Sequence, residues 1–180
     1  QGPEFAVTPG GAAIQKPEVR RALQYAVDVE AICANLLNAP CTRMTGIVNP
    51  NNAHPTLEPY PYDPEIAEYL LDQAGYPRDA NGVRFEMTLQ AGEGRYLNDK
   101  NVVLAICQYL DDIGVKTKCD ILDWSSVYIP LIIEKKAGPM YFIGSGGATW
   151  SPLYDMADLS KPDSGPNYTK WMNEEWFKGW

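Results

Sequence analysis

Four cysteines and one histidine are the side chains of this 180-residue protein that are best suited to bind a transition metal. The cysteines are Cys33, Cys41, Cys107 and Cys119, and no two of them form a CxxC pair. The histidine, His54, lies in a proline-rich stretch. Structural zinc sites use four Cys or His ligands at short spacings, so the sequence predicts no metal site. The cysteines are then either disulfides or buried free thiols.

A glycine-rich run at residues 144–147 follows a short apolar segment and raises the possibility of a phosphate-binding loop. The dinucleotide motif needs a third glycine that opens a helix, and the P-loop needs a lysine. The following residues, 148–152, are Ala-Thr-Trp-Ser-Pro and supply neither, so no cofactor is predicted. We expect these glycines to let the backbone approach a ligand closely.

The chain lacks the paired side chains that catalysis requires. Its serines are scattered, His54 has no evident partner, and Glu174 and Glu175 are typical of the solvated start of a helix. We therefore predict that the protein is not an enzyme.

Apolar periodicity predicts an α/β protein. Helical spacing indicates helices at about 17–27, 28–37, 63–75 and 98–113, and a further helix capped by Ser125 or Ser126. Alternation of apolar and polar residues indicates strands at 83–92 and 115–122, and a short apolar run indicates a buried strand at 140–144. Strands that alternate with helices predict right-handed crossovers and a mainly parallel or mixed sheet flanked by helices.

Arg95 and Trp150 follow the first and third of these strands, and loops at the carboxyl ends of parallel strands converge on one crevice. A guanidinium suits a carboxylate or vicinal hydroxyls, and an indole offers a flat apolar face. The alternatives are a surface ion pair of Arg95 with Glu93 or Asp99, and packing of Trp150 inside the protein.

Charge and composition limit the partners. The chain has 15 Lys and Arg against 23 Asp and Glu, a net charge of −8, and it has no basic run. Binding to nucleic acid or to an anionic membrane surface is therefore not expected. We expect residues 1–5 to be the remnant of a cleavage and cloning site, and residues 6–180 to form a single α/β lobe.

Four strings of residues, in this order and spacing, resemble the family 5 solute-binding proteins of ABC importers, which carry dipeptides, oligopeptides, nickel chelates and some oligosaccharides. The strings are PEVRRALQYAVD at 17–28, YPYDPEIAEYLLDQAGY at 60–76, GRYLNDK at 94–100, and 113–124, which begins IGV and ends DW.

The resemblance implies the second lobe of a periplasmic-binding-protein-like (type II) fold, with residues 151–180 returning toward a missing first lobe. It also implies ligand contacts from the loops after the first and third strands. The implied contacts are Glu93, Arg95, Tyr96, Ser145, Gly146, Thr149, Trp150, Tyr154 and Asp155. Dipeptide-binding relatives carry a Trp where Ser145 stands and an acid near Ala148 or Ser151, so a neutral or sugar-like ligand is expected as well as a peptide.

The implied function is the substrate-binding component of an ABC importer, in the periplasm or anchored outside the membrane. Its partners would be a small solute, the permease subunits and the remaining lobe. Two other functions stay open: a lobe that only mediates protein contacts, and a hydrolase on a similar α/β scaffold.

An oxidising compartment favours disulfides over free thiols. Cys33 lies near the end of a helix and Cys41 in the turn after it, so the chain can fold back to pair them. Cys107 and Cys119 lie on a helix and the next strand, joined by a tight turn at Gly114. We therefore expect the pairs 33–41 and 107–119.

Overall fold

A computed structural model of the chain describes residues 3–144, 151–170 and 173–177. The α-helices are α1 (Pro3–Ala6), α2 (Pro9–Ile14), α3 (Pro17–Tyr25), α4 (Val29–Ile32), α5 (Pro64–Gln73), α6 (Asp99–Asp112), α7 (Ile129–Ile133), α8 (Pro152–Ser160) and α9 (Glu174–Phe177). The strands are β1 (Phe85–Glu93), β2 (Val115–Asp123) and β3 (Met140–Phe142). Two π-helical turns, Cys33–Leu37 and Trp124–Tyr128, and a 3₁₀ turn, Pro50–Asn52, complete the regular structure of the described residues.

The three strands form one parallel sheet in the order β2-β1-β3. Phe85 pairs with Val115 and Glu93 pairs with Asp123, so β1 and β2 run side by side over their whole length. The shorter β3 pairs with the middle of β1, from Leu89 to Ala91. The predicted α/β class with helices flanking a parallel sheet is confirmed, and all three strands end at the same edge.

Every second side chain of β1 is buried, and these side chains share one face of the sheet. Phe85, Met87, Leu89 and Ala91 are each no more than 6 % exposed. The first two pack in a cluster with residues of α3, α5 and the end of α6, and the last two pack with Val103 of α6 and its neighbours. The crossover helix therefore lies on the face that the alternation makes apolar.

Helix α5 begins and ends where its sequence predicts. The Asp63 carboxylate accepts a hydrogen bond from the Ile66 N–H at 2.9 Å, and Pro64 occupies the first turn. Gly75 follows the helix with φ +86°, a conformation that glycine adopts without steric cost.

Two expectations about helix boundaries were wrong. Asp123, and not Ser125 or Ser126, caps the turn after β2: its carboxylate accepts hydrogen bonds from both the N–H and the hydroxyl of Ser126. The expected helix over 28–37 is α-helical only to Ile32 and then widens into the π-helical turn at Cys33–Leu37. Left-handed Asn38, with φ 49°, ends this turn and reverses the chain.

Helix α1 contacts the rest of the described structure through Phe5. Pro3–Ala6 forms one helical turn, and the Phe5 carbonyl accepts a hydrogen bond from the Thr8 N–H. The Phe5 ring lies so close to Gly138 that a β-carbon there would be 3.0 Å from it. Phe5 thus packs on the loop before β3.

A buried arginine joins α5 to the sheet. The Arg84 side chain is only 2 % exposed and forms ion pairs with Glu68 and Asp72. It also donates hydrogen bonds to the carbonyls of Tyr76 and Ile113. Arg84 therefore connects α5, the start of β1 and the end of α6.

Both expected cysteine pairs are present as disulfides. Cys33 and Cys41 have their α-carbons 5.9 Å apart, and Cys107 and Cys119 have theirs 6.3 Å apart. The first pair closes the turn after α4, and the second joins α6 to β2.

Candidate functional site

The loops after β1 and β3 meet at the carboxyl edge of the sheet. The Tyr96 hydroxyl accepts a hydrogen bond of 2.9 Å from the Gly144 N–H. The Tyr96 ring also meets Phe142 edge to face, with centroids 6.1 Å apart. A β-carbon at Gly144 would lie 2.9 Å from the Tyr96 ring, so glycine permits this close approach.

Trp124 brings the end of β2 to the same place. Its ring lies edge to face with Tyr96 at 5.4 Å between centroids. Tyr128, which is fully buried, supports the indole at 5.8 Å. Burial raises the pKa of the Tyr128 phenol, and the neutral hydroxyl donates to the Phe142 carbonyl at 2.7 Å. All three strand ends therefore contribute to one aromatic surface.

Arg95 lies over this surface. Its guanidinium carbon is 5.6 Å from the centroid of the Tyr96 ring and 5.8 Å from that of Trp124, which is within the range of cation–π attraction. The expected alternative, an ion pair with Glu93 or Asp99, is not formed. Glu93 pairs instead with Lys100 at 3.1 Å. Among the described residues no carboxylate neutralises the exposed Arg95 guanidinium.

Asp99 sets the conformation of the loop that carries Arg95 and Tyr96. One oxygen of its buried carboxylate accepts hydrogen bonds from both of their backbone N–H groups at 2.9 Å, and the other oxygen accepts from the Lys100 N–H. Burial of this carboxyl acts to raise its pKa, but the hydrogen bonds from the N–H groups of Tyr96, Arg95, Lys100 and Gly94 outweigh it, and the pKa is lowered.

The predicted contacts after β3 fall partly within the described residues. Of the residues expected there, Ser145, Gly146, Thr149 and Trp150 lie outside the described residues. Tyr154 and Asp155 lie in the first turn of α8, where Tyr154 is 41 % exposed. Asp155 is buried, and its carboxylate accepts a hydrogen bond from the Asn49 N–H at 3.3 Å, so it faces protein instead of solvent.

Trp124 is the site residue that the sequence interpretation missed. It directly follows β2. The rule that placed Arg95 and Trp150 in one crevice concerns the carboxyl ends of parallel strands, and it applies equally to the end of β2. The signal was therefore present in the order of the elements.

Other features of the described residues add no second chemical site. No cluster of three or more His, Cys, Asp and Glu side chains is placed to hold a metal ion in the described part of the chain. The ring of His54 lies 2.9 Å from the Thr56 hydroxyl. A groove of about 430 Å³ lies beside the amino-terminal halves of β1 and β2 and shares no residue with the aromatic surface. No helix among the described residues is long and apolar enough to cross a membrane.

Comparison with known proteins decides the family. The family model of bacterial extracellular solute-binding proteins, family 5 Middle, matches residues 5–167. The chain belongs to this family. The resemblance found in the sequence is thereby confirmed, and the match includes Phe5, which packs on the fold.

Curated family 5 relatives include the glutathione-binding protein GsiB of Salmonella typhimurium, which is 35 % identical over 148 residues. The alignment covers 77 % of this chain and 28 % of that relative, so the chain spans less than a third of its length.

Solved structures show the same fold. The chain superposes on HbpA2 from Haemophilus parasuis with a TM-score of 0.76 at 22 % identity, covering 93 % of this chain and 34 % of the other. It superposes on the periplasmic binding protein DppA from Helicobacter pylori, in complex with the peptide STSA, with a TM-score of 0.75 at 20 % identity, covering 92 % and 32 %. The chain therefore has the α/β fold found in about a third of each of these proteins, whose fold is the type II fold of periplasmic binding proteins.

Proposed function

We propose that this chain forms one lobe of the solute-binding component of an ABC importer, and that it binds a short peptide-like solute at the carboxyl edge of its sheet. The protein acts outside the cytoplasm as a binding protein and not as an enzyme, and it delivers the solute to a permease. Residues 6–180 form a single lobe, and further contacts come from a second lobe across the site.

The observation that carries this proposal is the meeting of Arg95, Tyr96 and Trp124 at one edge of the sheet. Two aromatic rings offer apolar surface, and the guanidinium above them has no carboxylate partner among the described residues. A planar guanidinium forms paired hydrogen bonds with a carboxylate.

The relatives favour a peptide over a sugar. GsiB is named for glutathione, which is a tripeptide with two carboxylates, and it is 35 % identical to the matched part of this chain. A carboxylate on the solute would complement Arg95, and the apolar parts of a peptide would lie on Trp124. We include in this proposal the ligand contacts that the family resemblance implies for the loop after β3 and the start of α8, namely those of Ser145, Gly146, Thr149, Trp150 and Tyr154.

Transport would use the closure of two lobes on the solute. Because a solute held between lobes contacts both, it binds the closed form better than the open one and shifts the population toward closure. The permease then distinguishes the closed, loaded protein from the open one.

Calorimetric titration of the chain tests the proposal with three probes: S-methylglutathione, trialanine and maltotriose. We expect binding of at least one of the peptides and none of the sugar. Arg95→Ala and Trp124→Ala should each weaken peptide binding by more than about 1.4 kcal/mol, which is one decade in affinity. The control is Arg21→Ala, which removes an exposed arginine on α3.

Three results would contradict the proposal, the first of which is that none of the three probes binds. Binding of maltotriose alone would replace the peptide with a sugar-like solute. Equal affinities of Arg95→Ala, Arg21→Ala and the unchanged chain would move the site away from this edge of the sheet.

A further inference from the structure

Residues 33–49, which we call the brace, contact the surroundings of the candidate site at two points. The Asn98 side-chain amide donates a hydrogen bond of 2.8 Å to the Leu36 carbonyl. Asn98 lies between Tyr96 and α6, and its φ of 52° places it in the left-handed region where the loop turns into the helix. At the other end of the brace, the Asn49 N–H donates to the buried Asp155 carboxylate of α8.

The brace is itself closed on the body of the lobe. The Cys33–Cys41 disulfide joins its first residue to the chain after the reversal at Asn38. Beyond the disulfide, the Arg43 guanidinium donates to the Val27 carbonyl at 2.7 Å and to the Gln24 carbonyl. Gln24 lies at the end of α3 and Val27 in the turn that follows it. Arg43 therefore attaches the brace to the core just beyond the disulfide.

We propose that the brace holds the loop of Arg95 and Tyr96 in its binding conformation, and that opening the Cys33–Cys41 disulfide releases this loop. Asn98 is the positioning residue that transmits the effect, since it links the loop to the π-helical turn that the disulfide closes. The consequence for solute affinity rests on the proposed function, whereas the effect on the loop does not.

A thiol can reach the Cys33–Cys41 disulfide through only one of its two cysteines. Cys41 is exposed and Cys33 is buried. The thiolate of a dithiol reductant attacks the sulfur of Cys41 and forms a mixed disulfide, while Cys33 leaves as a thiolate and takes up a proton. The second thiol of the reductant then displaces Cys41, so the reductant is oxidised to a disulfide and two cysteine thiols remain.

Other contacts of Asn98 provide a matched control. Its side-chain oxygen accepts a hydrogen bond of 2.6 Å from Asn101, an exposed residue of α6. Asn98→Gly removes both side-chain bonds but keeps the left-handed conformation accessible. Asn101→Ala removes only the bond to Asn101 and leaves the link to Leu36 in place.

Amide hydrogen exchange measured by NMR tests the brace in the chain with and without the substitutions. In Asn98→Gly and in the double variant Cys33→Ser/Cys41→Ser, we expect the N–H groups of Arg95 and Tyr96 to exchange at least about tenfold faster. Exchange at Leu89, in the middle of β1, should stay unchanged, as should all exchange in Asn101→Ala. Titration with S-methylglutathione, which has no free thiol, should show affinity at least about tenfold weaker in the first two variants.

The outcomes separate the brace from the proposed function. Unchanged exchange at Arg95 and Tyr96 overturns the brace, whether or not a solute binds. Equal acceleration at Leu89 also overturns it, because the effect would then be global unfolding. Faster loop exchange in a chain that binds no probe supports the brace and contradicts the proposed function.

Discussion

A single buried carboxylate, that of Asp99, determines where Arg95 and Tyr96 lie. It accepts hydrogen bonds from the backbone N–H groups of Arg95, Tyr96 and Lys100, so this carboxylate holds the loop through the main chain. A carboxylate has acceptor sites on both oxygens, whereas an amide presents a donor on one side. The loop conformation thus depends on the negative charge as well as on the shape of this side chain.

Asp99→Asn is expected to destabilise the protein by about 1–3 kcal/mol, because the amide N–H₂ group would face backbone N–H donors in a buried place. Urea denaturation measures the change in the free energy of unfolding. The control is Asp163→Asn, which alters an exposed acid in the loop after α8 and should change stability by less than about 0.5 kcal/mol. Equal effects of the two substitutions would show that Asp99 has no special role.

At this scale the sequence predicts positions better than contacts. Arg95 was expected at the site because it follows a strand, and Tyr96 because the family resemblance implied it; the structure places both just after the carboxyl end of β1. The contact of Arg95 with Trp124 was missed although Trp124 directly follows β2, and Asp99 does not pair with Arg95 because its carboxylate is occupied by main-chain donors. These contacts depend on the left-handed turn at Asn98, for which the sequence carries only a weak signal.

Between elements, β1 and the π-helical turn at Trp124–Tyr128 pack closely at Gly92, near the end of β1. A β-carbon added there would lie 2.7 Å from ring atoms of both Trp124 and Tyr128. The π-helical turn that carries these rings therefore sits directly on the strand. Glycine at this position lets the aromatic surface come close to the sheet.

Gly92→Ala should destabilise the protein by about 1–3 kcal/mol, since two rings must move to admit the methyl group. It should also alter the tryptophan fluorescence, to which Trp124 contributes, and weaken solute binding. Gly46→Ala is the matched control, because an added β-carbon there meets nothing within 4 Å. Thermal unfolding and emission spectra of both variants check this expectation, and an unchanged melting temperature of Gly92→Ala would contradict it.

Element types were more predictable than element ends. Alternation identified the strands because one face of the sheet is buried, and helix α5 carried its cap, its proline and its terminal glycine. The helical turn after β2 was assigned the wrong cap, since three residues within four positions, Asp123, Ser125 and Ser126, can all cap a helix. The widening at Cys33–Leu37 could not be predicted, as π-helical turns have no clear sequence pattern.

For the whole molecule, carboxylates with lowered pKa values determine how stability depends on pH. The pKa of Glu68 is lowered mainly by its hydrogen bond from Arg78, and that of Asp123 mainly by the Ser126 hydroxyl. The pKa of Asp79 is lowered by the N–H of Val83, and that of Asp99 by the loop N–H groups. In each case the folded state favours the ionised form.

A carboxyl group with a lower pKa in the folded than in the unfolded chain stabilises the fold fully above its unfolded pKa of about 4, and this contribution is lost as the pH falls through the folded pKa. We therefore expect the free energy of unfolding to stay nearly constant from pH 7 to pH 5 and to decrease steeply below about pH 4. Urea denaturation at a series of pH values measures this. Half of the stability lost by pH 5 would contradict the expectation.

Asp99 accepts hydrogen bonds from main-chain N–H groups and not from the Arg95 side chain. The backbone conformation of the loop therefore does not depend on which side chain stands at position 95. Arg95 projects over the rings and is exposed, so its replacement changes the charge presented to a solute without removing a bond that holds the backbone. If solute binds as proposed, exchange of this residue among descendants of one protein changes the solute preference at little cost in folding. For the same reason position 95 is the first place to randomise in a library that seeks binders for a chosen metabolite.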